Sequence, residues 1–489
     1  MMPGNEVALG ADSKAPTQQR LTVLVIAGLA WSLVNFRLDL MRRMIANGHR
    51  VLAAAPDFDT ETETALRAAG IEPLTVPMQR TGLNPVNDLK TLRALRKLIR
   101  DRRPDLILPY TMKPIVWGSL AARQEGNIRC HPLFTGLGYA FSEAHPTGKR
   151  RLIRRIAIGL HRHALGMIRL GFYYNDADLA DLRRFGMIPD SARMVPVPGS
   201  GADTERFAPA PLPDGVPVFL FVARMLRSKG LEDLIEAARA LRREGREFRL
   251  DLLGPTDSNP DAIDTGTLQA WNDAGEAIWH GATRDVRPYL AAAHVLVLPT
   301  RLREGVPRTI LEAMSSGRAV ITTDAPGCGE TVGDGEGGLV VPMGDVGALA
   351  AAMRRFLDHP EMAARMGAQA RTRVCQRNDV HLVNRLLLTE MGLEGDVPPV
   401  LTSDRPPRPA AELERTDHED DPSRRGKRFP ARGGSQCHSE GDGRYRRPPD
   451  PDPGDGDLQP LRPLRFHRCD RSSVGDDQAV LRQLSPDGQ

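Results

Sequence analysis

The sequence predicts an α/β protein of two Rossmann-like domains, each built on a parallel sheet, and three observations predict it. Short apolar runs of strand length recur along the chain with helix-period segments between them, at residues 21–27, 50–54, 105–108, 217–223, 248–253, 294–299, 319–323 and 339–342. Most of these runs, such as those at 217–223 and 295–298, are continuously apolar rather than alternating, the pattern of strands buried on both faces under covering helices. A stretch dense in Pro and Gly, with Pro196, Pro198, Gly199, Gly201, Pro209, Pro211 and Pro213, divides the runs into two sets. The 489 residues suffice for two or three domains, and the 40% hydrophobic content supports real cores. The expected organisation is a disordered leader over 1–20, a first domain over 21–200, a second over 201–375, a terminal helical segment over 376–395 and a disordered tail over 396–489. The tail holds 14 of the 40 prolines and none of the four tryptophans, so it cannot bury enough apolar surface to offset its chain entropy.

In the first domain, the run Leu21-Thr22-Val23-Leu24-Val25-Ile26-Ala27 is a buried strand ended by Gly28. A helix over about 33–47 places Phe36, Leu40, Met44 and Ile45 on one face, Gly48 closes it, and residues 50–54 return as a parallel strand. No Gly-x-Gly-x-x-Gly follows the first strand, so the dinucleotide fingerprint is absent. A helix over 60–69, a strand over 71–76, a helix over 85–101 and a strand over 105–108 continue the alternation. Tyr110-Thr111-Met112-Lys113-Pro114-Ile115 then leads into a helix, and residues 132–139 end the domain's core. Residues 149–169 combine Arg150, Arg151, Arg154, Arg155, Arg162 and Arg169 with Leu152, Ile153, Ile156, Ile158 and Leu160. Such a basic amphipathic helix either lies on an anionic membrane surface or is a core helix with an Arg-rich solvent face.

The second domain opens with the strand over 217–223, followed by Arg224 and Leu226-Arg227-Ser228-Lys229-Gly230. An Arg and a Lys fixed at a strand's carboxyl end suit a pyrophosphate, the one by bidentate pairing and the other as a point charge. Helix 230–243, strand 248–253 and the short strand Ile278-Trp279 lead to the strand over 294–299. Next comes Arg303-Glu304-Gly305-Val306-Pro307-Arg308-Thr309-Ile310-Leu311-Glu312-Ala313-Met314. Thr300, Gly305 and Pro307 mark a turn, Ile310, Leu311 and Met314 have helical spacing, and Ser316-Gly317 reads as the C-cap before the strand over 319–323. Ligands bind such sheets at the carboxyl ends of the strands, where a helix N-terminus attracts phosphate. Glu304 in the loop can accept from sugar hydroxyls, and Glu312 one turn into the helix from a ribose diol. Two carboxylates flanking an anion site fit a nucleotide sugar. Read singly, they are equally two surface carboxylates at a helix start. Helices over 348–357, 360–373 and 381–391 complete the chain.

Composition excludes several classes. Lys+Arg of 66 against Asp+Glu of 62 leaves +4, which points to no nucleic-acid partner. Five scattered cysteines without Cys-x-x-Cys spacing argue against zinc or a disulfide framework and for a reducing cytoplasm. The first residues lack a signal-peptide pattern, and the longest semi-apolar segment, 152–174, is interrupted by arginines. The protein is therefore expected to be cytoplasmic, either soluble or peripheral on the inner face of the cytoplasmic membrane.

The run Glu304-Gly305-Val306-Pro307-Arg308-Thr309-Ile310-Leu311-Glu312, together with Pro326-Gly327-Cys328-Gly329-Glu330-Thr331-Val332, resembles the two-glutamate signature of the retaining glycosyltransferases of family 4. Ser32-Leu33-Val34-Asn35-Phe36-Arg37, Tyr110 to Pro114 and Thr135 to Phe141 resemble the branch that assembles capsular, exopolysaccharide and lipid-linked glycans. The resemblance spans about residues 21–392. It implies the GT-B fold, two such domains facing a cleft with the terminal helix crossing back onto the first. It implies a UDP-sugar donor and a lipid-linked or oligosaccharide acceptor, with no cofactor and no essential metal. It assigns catalysis to Arg224, Lys229 and Glu304, donor binding to Gly305, Val306, Pro307, Arg308, Thr309, Leu311 and Glu312, and the acceptor side to Asn35, Arg37, Lys113, Thr135, Gly136 and Tyr139. The chain departs from many relatives in its first loop, Gly28-Leu29-Ala30-Trp31, which lacks their Gly-Gly pair. The alternatives are a nucleotide-sugar 2-epimerase of the same fold and a non-catalytic nucleotide-sugar-binding protein.

Overall fold

A computed structural model describes residues 20–79, 84–126, 128–137, 141 and 147–394. The expected tail, and the leader up to residue 19, lie outside the described residues. The first lobe runs β1 (Thr22–Ile26), α1 (Ala30–Ala46), β2 (Arg50–Ala55), α2 (Thr60–Ala68), β3 (Glu72–Thr75), α3 (Pro85–Arg102), β4 (Leu106–Pro109), α4 (Met112–Glu125) and β5 (Arg129–Cys130). It continues with β6 (Leu133–Phe134), α5 (Gly148–Leu165), β7 (Leu170–Tyr173), α6 (Asp176–Arg184) and β8 (Arg193–Pro196). Five strands form a parallel sheet in the order β3-β2-β1-β4-β5. A second sheet, β6-β7-β8, is also parallel and meets the first at a bridge between Tyr110 and Leu133.

That smaller sheet is the main departure from the expected first lobe. Residues 193–196 carry the ladder of β8 instead of opening a linker, with Pro196 tolerated because it ends the strand. The basic helix stops at Leu165, so Arg169 lies beyond it and the following residues turn into β7.

The second lobe runs β9 (Val218–Val222), α7 (Leu231–Arg243), β10 (Arg249–Leu253), α8 (Thr265–Asp273), β11 (Ile278–Trp279), α9 (Arg287–Ala291), β12 (Val295–Leu298) and α10 (Arg308–Ser315). It ends with β13 (Ala319–Thr323), α11 (Gly329–Val332), β14 (Gly338–Val341), α12 (Val346–Asp358), α13 (Glu361–Arg377) and α14 (Val380–Met391). Its sheet is parallel throughout, in the order β11-β10-β9-β12-β13-β14. The chain winds outward from β9 in both directions, so the strand order reverses between β9 and β12. A crevice opens at such a reversal beyond the carboxyl ends of the two strands. Strands β9, β12 and β13 are buried residue for residue, as their continuous apolar sequences require.

Two segments join the lobes. The first runs through Pro198 to Thr204, and the second is the junction of α13 and α14. They lie side by side: Ala202 N donates to Asn378 O at 2.8 Å and Val380 N to Ala202 O at 2.9 Å. Thr204 Oγ1 donates to Asp379 Oδ2, and Asn378 Nδ2 donates to Pro198 O at 2.8 Å. Gly201 has φ of +76°, and a Cβ there would stand 2.7 Å from Val380 Cα, so only glycine fits the crossing. Helix α14 then packs on the first lobe, where Val383, Leu387, Leu388 and Met391 join the core formed by β1, β2, β4 and α1.

Candidate active site

The loops that follow β9, β10, β12 and β13 converge at the reversal of the second sheet. After β9 the chain makes a tight 3-10 turn at residues 227–229, and Gly230 leaves it at φ +76°. Gly230 lies against the carbonyl of Pro299, so a side chain there would collide with the end of β12. Arg301 N donates to Ser228 O at 2.8 Å, which ties the loop after β12 to that turn. Met225 N donates to Pro255 O at 3.0 Å, tying in the loop after β10. Glu304 N donates to Pro326 O at 3.0 Å and Thr323 Oγ1 to Thr300 O at 2.7 Å, tying in the loop after β13.

This convergence brings Lys229 and Glu304 together. Lys229 Nζ donates to Glu304 Oε1, which also accepts from Thr300 Oγ1 at 3.1 Å. Both side chains are largely buried, at 15% and 17% exposure, so the pair sits in a cleft rather than on open surface. Arg224 occupies the lip of the same crevice and pairs with Asp257 Oδ2 at 2.6 Å. The phosphate-class cations of the sequence reading therefore each hold a carboxylate. That arrangement holds both cations in fixed orientations at the carboxyl ends of β9 and β12.

Helix α10 starts beside them. Pro307 stands at its N-cap and offers no side-chain acceptor, so the first-turn amides at Arg308 and Thr309 are left for a ligand. The expectation placed Pro307 just inside the helix; its φ of −66° with ψ of 118° puts it one step before. Glu312, one turn in, accepts from Arg308 Nε at 2.8 Å. Burial pushes the Glu312 carboxyl above its ordinary range, and the Arg308 cation opposes that shift. Leu311 is fully buried in the core of the second lobe. Its side chain therefore packs into that core.

The first lobe closes over this loop. Gly305 packs against the Thr135 carbonyl and the Tyr174 ring, Gly136 faces Gly305, and Val306 packs onto Gly199. Arg308 donates to the Asn35 carbonyl and lies over the Phe36 ring at 5.4 Å. Asn35, Thr135 and Gly136 thus line the contact between the lobes. Arg37 is only 2% exposed, donates to the Tyr174 hydroxyl, and stacks on the Tyr110 ring at 5.2 Å. Lys113 reaches Asp88 Oδ1 at 3.1 Å, a bond between α4 and α3 inside the first lobe. Tyr139 lies outside the described residues.

The sequence reading missed four polar groups here. Asn175 caps α6, accepting from Asp178 N at 2.8 Å, while its Nδ2 donates to the Glu304 carbonyl at 3.0 Å. Arg303 bridges back to the same helix, with Nη1 to Asp181 Oδ2 at 2.5 Å and Nη2 to Asp178 Oδ1 at 3.1 Å. Burial raises the pKa of Asp178, and Arg303 counters it. The available signal was Asn175-Asp176-Ala177-Asp178, an N-cap followed by acidic residues in the first turn of a helix.

Comparison with known proteins agrees with this geometry. Residues 34–199 match a family model described as a glycosyl transferase 4-like domain, and residues 216–359 match one described as glycosyl transferases group 1. The N,N'-diacetylbacillosaminyl-diphospho-undecaprenol alpha-1,3-N-acetylgalactosaminyltransferase of Campylobacter jejuni is 24% identical over 321 residues, covering 63% of this chain and 82% of its own. The GDP-mannose-dependent alpha-(1-6)-phosphatidylinositol monomannoside mannosyltransferase of Mycolicibacterium smegmatis is 31% identical over 265 residues, covering 46% and 67%. Among solved structures, Anabaena Alr3699/HepE in complex with UDP superposes with a TM-score of 0.59 at 18% identity, covering 76% of this chain and all (100%) of that one. The fold is GT-B, as the resemblance implied.

Proposed function

Because the chain belongs to the group 1 glycosyltransferases, the family 4 enzymes of GT-B fold, we propose that it is a retaining transferase. It moves a sugar from a nucleoside-diphosphate donor, a UDP-sugar in the first instance, to a hydroxyl of a lipid-linked oligosaccharide in capsule, exopolysaccharide or other surface-glycan assembly. The observation that carries this reading is the Lys229–Glu304 pair, set in a cleft at the sheet reversal beside the open first turn of α10. A relative that acts on a diphospho-undecaprenol substrate supports the acceptor class.

In this mechanism the bond from the anomeric carbon to the leaving phosphate oxygen breaks, and the acceptor oxygen bonds to the same face of the sugar. The acceptor proton passes to the departing diphosphate. Lys229, Arg224 and the amides at the start of α10 stabilise the charge that develops there, and Glu304 orients the sugar through its hydroxyls. Glu312 holds the ribose. Those cations perform the neutralisation that a divalent metal performs elsewhere, so activity should persist in excess EDTA.

Helix α5 supplies the membrane contact in this reading. Leu152 and Ile156 are exposed at 59% and 43%, one turn apart, and Arg151 and Arg155 are exposed beside them. That face fits an anionic lipid surface, where the acceptor's lipid resides. No helix of the described residues is long and apolar enough to cross a membrane. The protein would work at the inner face of the cytoplasmic membrane.

The test is nucleotide release from a panel of UDP- and GDP-sugars with membrane extract, comparing the parent protein with Lys229→Ala and Glu312→Ala. Release that depends on the extract and falls about 100- to 1000-fold in Lys229→Ala is the expected result. Tight nucleotide binding without release from any donor overturns the transferase reading in favour of the epimerase or binding-protein alternatives.

A further inference from the structure

We propose that Asn175 is a positioning residue for sugar transfer: a first-lobe side chain that fixes the backbone of Glu304 and thereby aims its carboxylate. The inference rests on the transferase reading above and deepens it. Glu304 has two ends to control. Its carboxylate faces Lys229 and Thr300 in the second lobe. Its amide is tied to Pro326 O, also in the second lobe. Its carbonyl, however, is held from the other lobe, by Asn175 Nδ2 at 3.0 Å, with the Gly305 carbonyl 3.4 Å from the same nitrogen.

Asn175 is itself fixed. It is 7% exposed, its Oδ1 accepts from Asp178 N, and its Nδ2 also lies 3.0 Å from Asp178 Oδ2. Asp178 and Asp181 grip Arg303, the residue just before Glu304. Helix α6 thus holds the chain on both sides of the Glu304 α-carbon, one hold by a side chain and one by a carbonyl. In this structure the loop holds its conformation where the lobes touch, with Gly305 packed on the Thr135 carbonyl in the same contact. Docking of the first lobe therefore sets the direction of the group that orients the donor sugar. A buried amide spanning two carbonyls and a carboxylate transmits position better than an exposed one, since no water competes for its hydrogens.

The alternative role for Asn175, a plain helix cap, is separable. Serine caps helices as well as asparagine but is one bond too short to reach Glu304, and aspartate caps while presenting an acceptor to two carbonyls. The experiment measures melting temperature, UDP dissociation constant and steady-state kinetics for the full chain and its Asn175→Ser and Asn175→Asp variants. The expected result for Asn175→Ser is unchanged melting and UDP affinity with kcat reduced about 10- to 100-fold, and for Asn175→Asp a larger kcat loss with lowered melting, since a buried carboxylate there meets Asp178 and two carbonyls. A serine variant with parental kcat overturns the inference, as does a serine variant whose loss of kcat only follows loss of melting temperature. A parent protein that releases nucleotide from no donor overturns the transferase reading itself.

Discussion

Glu312 is held in the cleft with Arg308 as its partner, and burial raises its pKa above the ordinary 4.5. The sign follows directly. A carboxyl whose folded pKa is raised takes up its proton earlier on acidification than the unfolded chain does. Its charge therefore works against folding above the folded pKa, and that penalty fades as pH falls through it. On the proposed reading, nucleotide binding has the opposite sense, because there the ribose hydroxyls take the Glu312 carboxylate. Affinity for UDP should fall on acidification, with an onset above pH 4.5, and titration calorimetry across pH would show it. Glu312→Gln should remove that limb and weaken neutral-pH binding about tenfold. Gly305 gives a second test. A methyl group there meets the Thr135 carbonyl and not a flexible side chain, so Gly305→Ala should push the lobes apart and lower kcat by about 100-fold. Melting temperature should change little, because the loop's own conformation is open to alanine. Glu304 and Glu312 were readable from sequence because they lie in one strand-loop-helix unit, and Lys229 because it stands just after the carboxyl end of its own strand, although only the fold brings it to Glu304. Asn175 was not, since its target lies across the cleft and no spacing rule joins residues 175 and 304.

Most strands of both large sheets were visible as apolar runs, because a strand covered on both faces has little polar side to blur the signal; the two-residue β5, Arg129–Cys130, was not. Strands β7 and β8 were not. The run at 170–173 directly follows a helix whose apolar residues run into it, and Pro196 and Pro198 disguised the end of β8 as linker. Helix α5 was readable as basic and amphipathic, but sequence alone left its exposed face ambiguous between solvent and lipid. Replacing Leu152 and Ile156 together with serine removes the apolar part of that face without touching its arginines. Sedimentation with vesicles rich in anionic lipid should fall several-fold, while nucleotide binding holds. Equal sedimentation of the two proteins would leave α5 as a solvent-facing helix.

For the molecule as a whole, the composition changes near residue 395, just after residues that are tied into the first lobe. Leu393 is fully buried, its carbonyl accepts from Asn47 Nδ2 at 3.0 Å, and Glu394 pairs with Arg43 at 2.8 Å. A chain ending at Glu394 should therefore keep the parent melting temperature and nucleotide release. One ending at Asp379 should not fold its first lobe, because Val383, Leu387, Leu388 and Met391 leave the core of that lobe. Loss of activity in the longer truncation would show that residues 395–489 contribute to function.

The side-by-side chain crossings at Ala202 and Asp379 carry a mechanical consequence. One strand between two bodies is a tether about which they swing, twist and slide. Two strands bonded to each other form a flexure that bends freely in one plane and resists torsion and shear. Paired in this way through Ala202, Asn378 and Val380, the two crossings hold the first lobe against twisting or sliding on the second. If the chain transfers a sugar as proposed, that restraint fixes the angle at which the acceptor wall of the first lobe meets the donor site of the second.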